Sequence, residues 1–375
     1  MNETVMDNPK QLGTSHDEVL FSKVIDYMRF PLIVGVIFIH NYRMADNMEG
    51  VESFTSTNLP IYYYVSNLFS NTLASIAVPL FFFISGYLFF YKVNSFSSTT
   101  YLYKLKKRFR TLLVPYIFWN LLLYVVISLA SLHPKTAPFV SEYDYNIFEA
   151  FVGKLNSAGA ATYPLVYQLW FIRDLIVCVI ISPLIYFVIT KLRYFGVILL
   201  GLGWFLGYSI PFIGGKVISM VALFFFTFGS WLSYHKNNMI ALLKNLKWVA
   251  LSYPVIMIID LLTKPEVYNR YIHQFGIVVG IIGCFLLVAL LIEKFDLKPV
   301  PFLSSASFFI FAVHDPWILW VLRKVMFSVF NPHSDITVTI LYFAVVLVVV
   351  LVALAVYWIL KKLMPSFASI ISGGR

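Results

Sequence analysis

The sequence predicts an all-α polytopic membrane protein with about ten transmembrane helices. The chain has 375 residues, of which 60% are hydrophobic and only 12% are charged, and its mean hydropathy is +0.81. These values differ strongly from those of soluble domains. Ten stretches approach the roughly 20 apolar residues that a helix needs to cross a bilayer. The Lys and Arg residues concentrate in the segments between these stretches, as membrane topology requires.

The predicted spans follow one another along the chain with mostly short connections. They are 24–42, 71–91, 111–132, 168–190, 195–211, 216–234, 247–263, 273–293, 302–322 and 336–361. Together they form one membrane domain, 21–362, between predicted cytoplasmic tails 1–20 and 363–375. The first tail lacks the basic start and apolar core of a cleavable signal peptide.

Basic residues predict the orientation of these spans. Six Lys and Arg residues lie between Lys92 and Arg110, after the second span, whereas acidic residues balance Arg43 after the first. The connection after the second span is therefore predicted to be cytoplasmic, and alternation places both termini in the cytoplasm. The longest connection, 133–167, then faces outside. A loop of this length between packed helices usually has a function.

Composition also excludes several classes of function. Cys178 and Cys284 lie in apolar stretches, where a thiol behaves as a small buried hydrophobe, so neither a disulfide framework nor a Cys-based metal site is predicted. No other residues show the spacing of a metal site. The net charge of +10 is explained by topology rather than by nucleic-acid binding, because the basic residues lie between spans.

The first span contains the most informative pair, Arg29 and His40, eleven positions apart. An ideal helix turns about 100° and rises about 1.5 Å per residue, so both side chains lie on one face, roughly 16 Å apart. Ionisable residues at membrane depth are costly unless they face a polar path or a partner. His40 is a candidate general base, and Asn41 is a candidate substrate-binding residue. In the alternative, Arg29 reaches the inner headgroups and His40 lies at the outer interface.

A basic run, KLKKRFR, precedes the third span. Lys107 and Arg110 are one helical turn apart, and with Arg108 they are candidates for binding the phosphates of a cytosolic cofactor. The alternative is that the run only sets topology. In the second span, Ser85 and Gly86 interrupt an apolar helix, which favours close helix packing. No strand-turn-helix context supports Ser85 as a nucleophile.

Two later spans contain further ionisable residues. Arg173 and Asp174 are adjacent in the fourth span, and because adjacent residues on a helix do not face each other, each is expected to have its own partner. Arg173 is a candidate for holding an anionic group. In the ninth span, His314 and Asp315 precede Pro316, where an irregular backbone is tolerated if it lines a cavity. His314 is the rival of His40 as the base.

In this order, the segments resemble the acyltransferase-3 family of integral membrane acyltransferases, whose bacterial members O-acetylate surface glycans. The resemblance covers 21–362 and rests on the Arg29 to His40 spacing and on the segments VPLFFFISGYLF, KKRFRTLLVPY, LWFIRD and FFIFAVHDPW. It implies an enzyme of the bacterial cytoplasmic membrane that moves an acyl group, expected to be acetyl, from acyl-CoA to a hydroxyl of a carbohydrate acceptor. Acetyl-CoA is then a donor substrate, and no cofactor is bound permanently.

The resemblance also implies roles for individual residues. His40 and Arg29 are expected to be catalytic. Lys107 and Arg110 match the family's RxxR motif, but a Lys at its first position keeps the charge and loses the planar fork of Arg. The remaining candidates are expected to bind substrate: Asn41, Arg173, Asp174 and His314.

Two other classes of protein remain as alternatives. A transporter or flippase of a polysaccharide precursor would also line its path with buried charges, although no repeated half with broken helices is visible in the sequence. A scaffold subunit of a polysaccharide synthase would leave Arg29 and His40 without a purpose. The sequence leaves the acceptor and the oligomeric state open, with a homo-oligomer among the options.

Overall fold

The computed structural model describes residues 14–48, 50–93, 95–141, 143–154, 163–208, 210–212, 215–235 and 238–374. Within these ranges the chain is almost entirely helical. The α-helices are α1 (Thr14–Asn41), α2 (Pro60–Ser66), α3 (Ala77–Phe90), α4 (Ser98–Arg108), α5 (Val114–Ser131), α6 (Ala137–Val140), α7 (Ile147–Val152), α8 (Trp170–Ile180), α9 (Ser182–Phe187), α10 (Arg193–Leu206), α11 (Met220–Tyr234), α12 (Met239–Asn245), α13 (Lys247–Leu251), α14 (Tyr253–Leu262), α15 (Asn269–Phe295), α16 (Pro301–Val313), α17 (Leu319–Phe330), α18 (Asp335–Leu363) and α19 (Pro365–Ile371).

Short segments of other geometry join several of these helices. Four are π-helical, namely Asn67–Leu73, Phe109–Leu113, Val188–Leu192 and His314–Ile318, and three are 3₁₀-helical, namely Met44–Asn47, Ala74–Ile76 and Tyr167–Leu169. Between α10 and α11 a small antiparallel hairpin pairs β1 (Ile210–Phe212) with β2 (Gly215–Ile218), with Ile210 opposite Ile218 and Phe212 opposite Gly215.

The described residues include six helical segments that are long and apolar enough to cross a membrane: Pro60–Phe90, Ser98–Ser131, Ser182–Leu206, Asn269–Phe295, Pro301–Phe330 and Asp335–Leu363. A seventh results if Met239–Asn245 and Lys247–Leu262, which are bent by 62°, form one crossing. The predicted multi-pass helical membrane protein is thus confirmed, whereas the count of ten is not. The chain breaks between α8 and α9 inside the predicted span 168–190, and α11 has only 15 residues.

Helix α1 is central to this bundle. It packs against α3, α15, α16 and α18, and its residues Val24, Met28 and Ile37 are almost completely buried. Because neighbouring helices cover α1 on several sides, the face that carries Arg29 and His40 can point into the protein instead of into lipid.

Helices α3 and α11 approach each other most closely at two glycines. A Cβ atom at Gly86 would overlap the carbonyl oxygen of Phe226, and one at Gly229 would overlap that of Phe83. The two helices therefore touch backbone to backbone, as small residues permit in membrane bundles. The packing role predicted for the Ser85 and Gly86 segment is confirmed for Gly86.

Gly86→Ala is expected to destabilise the protein by about 3 kcal/mol, the upper end of the range for overpacking, because the added methyl meets backbone atoms that cannot rotate away. Thermal unfolding in detergent at one fixed scan rate measures the effect. Gly283→Ala is a suitable control, since the nearest atom to its added Cβ would be the carbonyl oxygen of Ala250 at 3.7 Å. Equal midpoints for the two variants would contradict the close approach of α3 and α11.

Both predicted tails contain helix. Helix α1 begins at Thr14, inside the predicted tail 1–20, of which residues 1–13 lie outside the described part of the chain. After α18, helix α19 packs against α5, and the indole Nε1 of Trp119 donates to the carbonyl oxygen of Ile371 (3.1 Å). Helix α19 is therefore part of the bundle.

Candidate active site

His40, one residue before the end of α1, is hydrogen-bonded through Nδ1 to the hydroxyl of Tyr167. The same hydroxyl donates to Oδ2 of Asp315 at 2.7 Å, and this oxygen lies 3.8 Å from His40 Nδ1. A phenol has one proton. Because that proton points to Asp315, the phenol oxygen accepts the proton of His40 Nδ1, and Nε2 of His40 keeps a free lone pair. This tautomer is assigned from the hydrogen-bond network.

Two irregular segments place Tyr167 and Asp315 beside His40. Tyr167 begins the 3₁₀ turn before α8, and the segment before it is held by a hydrogen bond from the amide of Val166 to Oδ1 of Asn120 on α5 (3.0 Å). Asp315 has extended backbone angles (φ −141°, ψ 141°) inside the segment that follows α16. The irregular backbone predicted before Pro316 is therefore present, and it turns a carboxylate toward His40.

Arg323 on α17 fixes the end of α1. Its Nη2 donates to the carbonyl oxygen of His40 and its Nε to Oδ1 of Asn41 (2.9 Å), while Nδ2 of Asn41 donates to the carbonyl oxygen of Tyr342 (3.0 Å). The last carbonyl groups of a helix need such partners. Asn41 is fully buried, and both polar atoms of its amide are used within the protein. Its amide therefore connects the end of α1 to α17 and α18, whereas the sequence predicts that Asn41 binds substrate.

His314 is the second imidazole at this site. Its ring centroid lies 5.0 Å from that of His40, with the two rings nearly perpendicular. Its Nδ1 donates to the carbonyl oxygen of Phe311 (2.7 Å), and its Nε2 is buried without a hydrogen-bond partner among the described residues. The two candidate bases are thus neighbours, but His314 is completely buried whereas the side chain of His40 is 13% exposed.

A cavity of about 80 Å³ lies against the face of α1 that bears Arg29, and His40 is not among its lining residues. Arg29, Ile33 and Val36 line it, and since these residues recur every three to four positions, His40 continues the same stripe. The opposite walls come from α3, α8 and α16 and are largely aromatic or aliphatic: Val78, Phe81, Ile172, Leu175, Phe308 and Phe311. From Arg29 to Val36, the predicted face of α1 therefore borders a cavity between helices.

Two guanidinium groups lie at the Arg29 end of this cavity. Arg29 pairs with Oδ1 of Asp26 (2.6 Å), and Arg108, the last residue of α4, also lines the cavity. Lys107 and Arg110 are exposed. Of the three basic residues predicted to hold cofactor phosphates, Arg108 reaches the cavity, because residues at positions 107, 108 and 110 of a helix point in different directions.

Arg173 and Asp174 lie on the side of α8 that faces away from the cavity lining. Nη2 of Arg173 is 3.2 Å from Oδ1 of Asp174, so the expectation that these two residues would not pair is wrong. Each also has the separate partner that was predicted. Arg173 donates to the carbonyl oxygen of Val152 (2.9 Å), and Asp174 accepts from the amide of Ser219 (2.8 Å). These contacts of Arg173 and Asp174 hold α8 against α7 and against the start of α11.

The sequence of the chain is similar to that of a known family and of one characterised protein. The family model of the acyltransferase-3 family, described as an acyltransferase domain, matches residues 23–358. The chain is also similar to the succinoglycan biosynthesis protein ExoH of Rhizobium meliloti strain 1021, with 24% identity over 375 residues, which covers 94% of this chain and 92% of that protein. No solved structure matches the chain.

Proposed function

The chain belongs to the acyltransferase-3 family of membrane O-acyltransferases, and we propose that it moves an acetyl group from acetyl-CoA to a hydroxyl of a surface or lipid-linked carbohydrate. The observation that carries this proposal is the single face of α1 that bears both Arg29 and His40, with a largely apolar cavity against it at Arg29, Ile33 and Val36. The name of the similar protein, which refers to succinoglycan biosynthesis, supports a carbohydrate acceptor.

His40 is the general base in this proposal. Its free Nε2 takes the proton of the acceptor hydroxyl as the hydroxyl oxygen attacks the thioester carbonyl. The new C–O bond forms and the C–S bond breaks, and the proton on Nε2 then passes to the departing thiolate of CoA. Tyr167 and the carboxylate of Asp315 stabilise the imidazolium that exists between these two proton transfers, because the hydrogen bonds from Nδ1 lead to a negative charge.

The donor is proposed to enter past Arg29 and Arg108. Guanidinium groups suit phosphate oxygens, which they can bind through two parallel hydrogen bonds. The apolar cavity beyond them suits the extended pantetheine arm, which would carry the thioester along the roughly 16 Å that separate Arg29 from His40. Lys107 and Arg110, exposed nearby, add longer-range attraction for the anionic donor.

The proposed arrangement in the membrane follows the distribution of basic residues. Ten crossings with both termini in the cytoplasm place Arg108 at the inner side of a bacterial cytoplasmic membrane and His40 near the outer side. The acceptor would then reach His40 from outside, where the connection 133–167 ends at Tyr167. Residues 142 and 155–162 of this connection lie outside the described part of the chain.

Mass spectrometry of surface carbohydrates tests the proposed function. Cells that contain the protein are expected to carry acetyl esters that are absent from cells without it and from cells complemented with the His40→Ala variant. If loss of the protein instead removes a whole polysaccharide from the surface without a loss of acyl groups, a transporter or flippase of a precursor would replace the proposed enzyme.

Arg108→Ala is expected to weaken binding of acetyl-CoA by about 10- to 100-fold, because a hydrogen bond to a charged group contributes about 1.5 to 3 kcal/mol. Lys107→Ala is the matched control. Since Lys107 is exposed, its effect should be smaller and should fade as salt is raised. Equilibrium binding in detergent at two salt concentrations measures both. Equal effects of the two substitutions would place the donor on the surface of α4 and not at the cavity.

A further inference from the structure

An exposed aromatic ring lies beside the candidate active site. Tyr163 is 55% exposed, whereas the three residues that follow it, 164–166, are buried. The ring centroid of Tyr163 lies 6.4 Å from that of Tyr167, and the ring centroid of Tyr167 lies 4.9 Å from that of His40. Two neighbouring tyrosine rings therefore connect the proposed base with the surface of the protein.

The position of Tyr163 is fixed by its neighbours. Because Pro164 follows it, the backbone of Tyr163 is restricted to extended conformations. The amide of Leu165 donates to the carbonyl oxygen of Ala150 on α7 (2.9 Å), which ties this segment to a neighbouring helix. The ring centroid of Trp170, the first residue of α8, lies 6.4 Å from that of Tyr163. A side chain that is held in this way loses little conformational freedom when a ligand packs against it, so less of the contact energy is spent on ordering.

An exposed tyrosine ring suits the apolar face of a sugar ring. A pyranose has C–H groups on its faces and hydroxyl groups at its edge, and the face of an aromatic ring carries a partial negative charge that attracts C–H groups. Stacking on Tyr163 would cover one face of the sugar and leave its hydroxyl groups accessible, so that one of them can point toward His40. The two steps of 6.4 and 4.9 Å between ring centroids match the dimensions of one or two sugar units.

A contact with lipid explains this ring less well. Aromatic residues at a membrane interface anchor helices through rings that face the headgroups. Tyr163 instead precedes the 3₁₀ turn before α8, and its ring lies near those of Tyr167 and Trp170. Since Tyr167 is hydrogen-bonded to His40, this position favours an occupant that also reaches the candidate active site.

We propose that the ring of Tyr163 stacks against a sugar ring of the carbohydrate acceptor and places an acceptor hydroxyl at Nε2 of His40. This inference rests on the proposed function, because it takes a carbohydrate as the acceptor. Tyr163 is then a substrate-binding residue for the acceptor and not for the donor. The connection 133–167 thereby receives a function of its own, since it carries the residue that holds the acceptor beside the base.

Steady-state acetyl transfer by the purified protein in detergent tests this inference. The donor is labelled acetyl-CoA, and the acceptors are oligosaccharides released from the surface polysaccharide, and from its lipid-linked precursors, of cells that lack the protein. Tyr163→Ala should raise KM for the oligosaccharides about tenfold, the order of effect of one lost aromatic contact. The values of kcat and of KM for acetyl-CoA should stay within about twofold, because the lost contact is made equally in the bound and the reacting acceptor.

Three further variants show whether the ring itself is responsible. Tyr163→Leu keeps an apolar side chain without an aromatic face and should raise KM for the oligosaccharides as Tyr163→Ala does. Tyr163→Phe keeps the flat ring and should keep the KM of the unmodified protein. Tyr268→Ala is the matched control, since Tyr268 is 54% exposed and lies directly before α15, and it should change neither constant.

The possible results separate this inference from the proposed function. If the unmodified protein acetylates none of the oligosaccharides, the proposed function is wrong, and the inference is wrong with it. If the unmodified protein is active and Tyr163→Ala and Tyr163→Leu keep its KM for the oligosaccharides, the inference alone is wrong. A raised KM for Tyr163→Phe would assign the contact to the hydroxyl and contradict stacking. An unchanged KM together with a lower unfolding temperature of Tyr163→Ala in lipid nanodiscs, but not in detergent, would identify the ring as a lipid contact.

Discussion

His40→Ala is expected to lower the rate of acetyl transfer by about 10²- to 10⁴-fold, the usual loss when a general base is removed. The reason is that His40 combines a free Nε2, an Nδ1 that is hydrogen-bonded to Tyr167, and partial exposure. Transfer from labelled acetyl-CoA to a carbohydrate acceptor, with purified protein at saturating donor, measures the loss. His333→Ala is a suitable control because His333 is exposed and lies in the connection before α18.

The rival assignment gives a different pattern for the same experiment. The ring centroid of His314 lies 5.0 Å from that of His40, and its Nε2 has no hydrogen-bond partner in the part of the chain that the structure describes. If His40→Ala keeps near-normal activity while His314→Ala is inactive and still folded, His314 is the base. Thermal unfolding of each variant must accompany the activity, because removing a fully buried ring costs stability on its own.

The second large effect is expected for Tyr167 and Asp315, which are linked to Nδ1 of His40 by hydrogen bonds. Tyr167→Phe removes the acceptor for Nδ1, and Asp315→Asn removes the charge at the end of the hydrogen-bonded chain. Each should lower kcat by about 10- to 100-fold, less than the loss of the base itself, because both residues act through the orientation and charge of His40.

Separate measurement of kcat and KM distinguishes the positioning of His40 by Tyr167 and Asp315 from a general structural role. KM for acetyl-CoA should stay within about twofold while kcat falls, since the donor is proposed to bind at Arg29 and Arg108, roughly 16 Å away. Tyr208→Phe, which removes a hydroxyl from an exposed tyrosine, should change neither. A rise in KM without a fall in kcat for Tyr167→Phe would place Tyr167 in donor binding. It would contradict a role for the hydrogen bonds that link His40 through Tyr167 to Asp315.

Much of the fold followed from local patterns in the sequence. Hydropathy alone was sufficient to predict a membrane protein. The helical period placed Arg29 and His40 on one face of α1, and the cavity against this face at Arg29, Ile33 and Val36 agrees with that placement. The number of crossings did not follow, because the break between α8 and α9 and the bend of 62° after α12 leave the composition of the chain unchanged. Hydropathy alone cannot distinguish a straight span from a broken one.

The candidate site was only partly predictable. Tyr167 contacts His40 across 127 positions of sequence and Arg323 does so across 283, and nothing in either local segment indicates such a partner. Asp315 had a signal, since it precedes a proline inside a span, where an unusual backbone is expected to line a cavity. Arg323 follows directly after the predicted ninth span, where a basic residue is ordinary. Its contact with the end of α1 depends on tertiary packing.

Acetyl transfer in sealed membrane vesicles of known orientation tests the central claim most directly. Labelled acetyl-CoA is supplied only to the cytoplasmic face, and the carbohydrate acceptor is enclosed on the opposite face. Labelled ester is expected on the enclosed carbohydrate in vesicles with the unmodified protein and not in vesicles with His40→Ala. If ester forms only when donor and acceptor share the cytoplasmic face, or forms equally with His40→Ala, the proposed path from Arg29 to His40 is wrong.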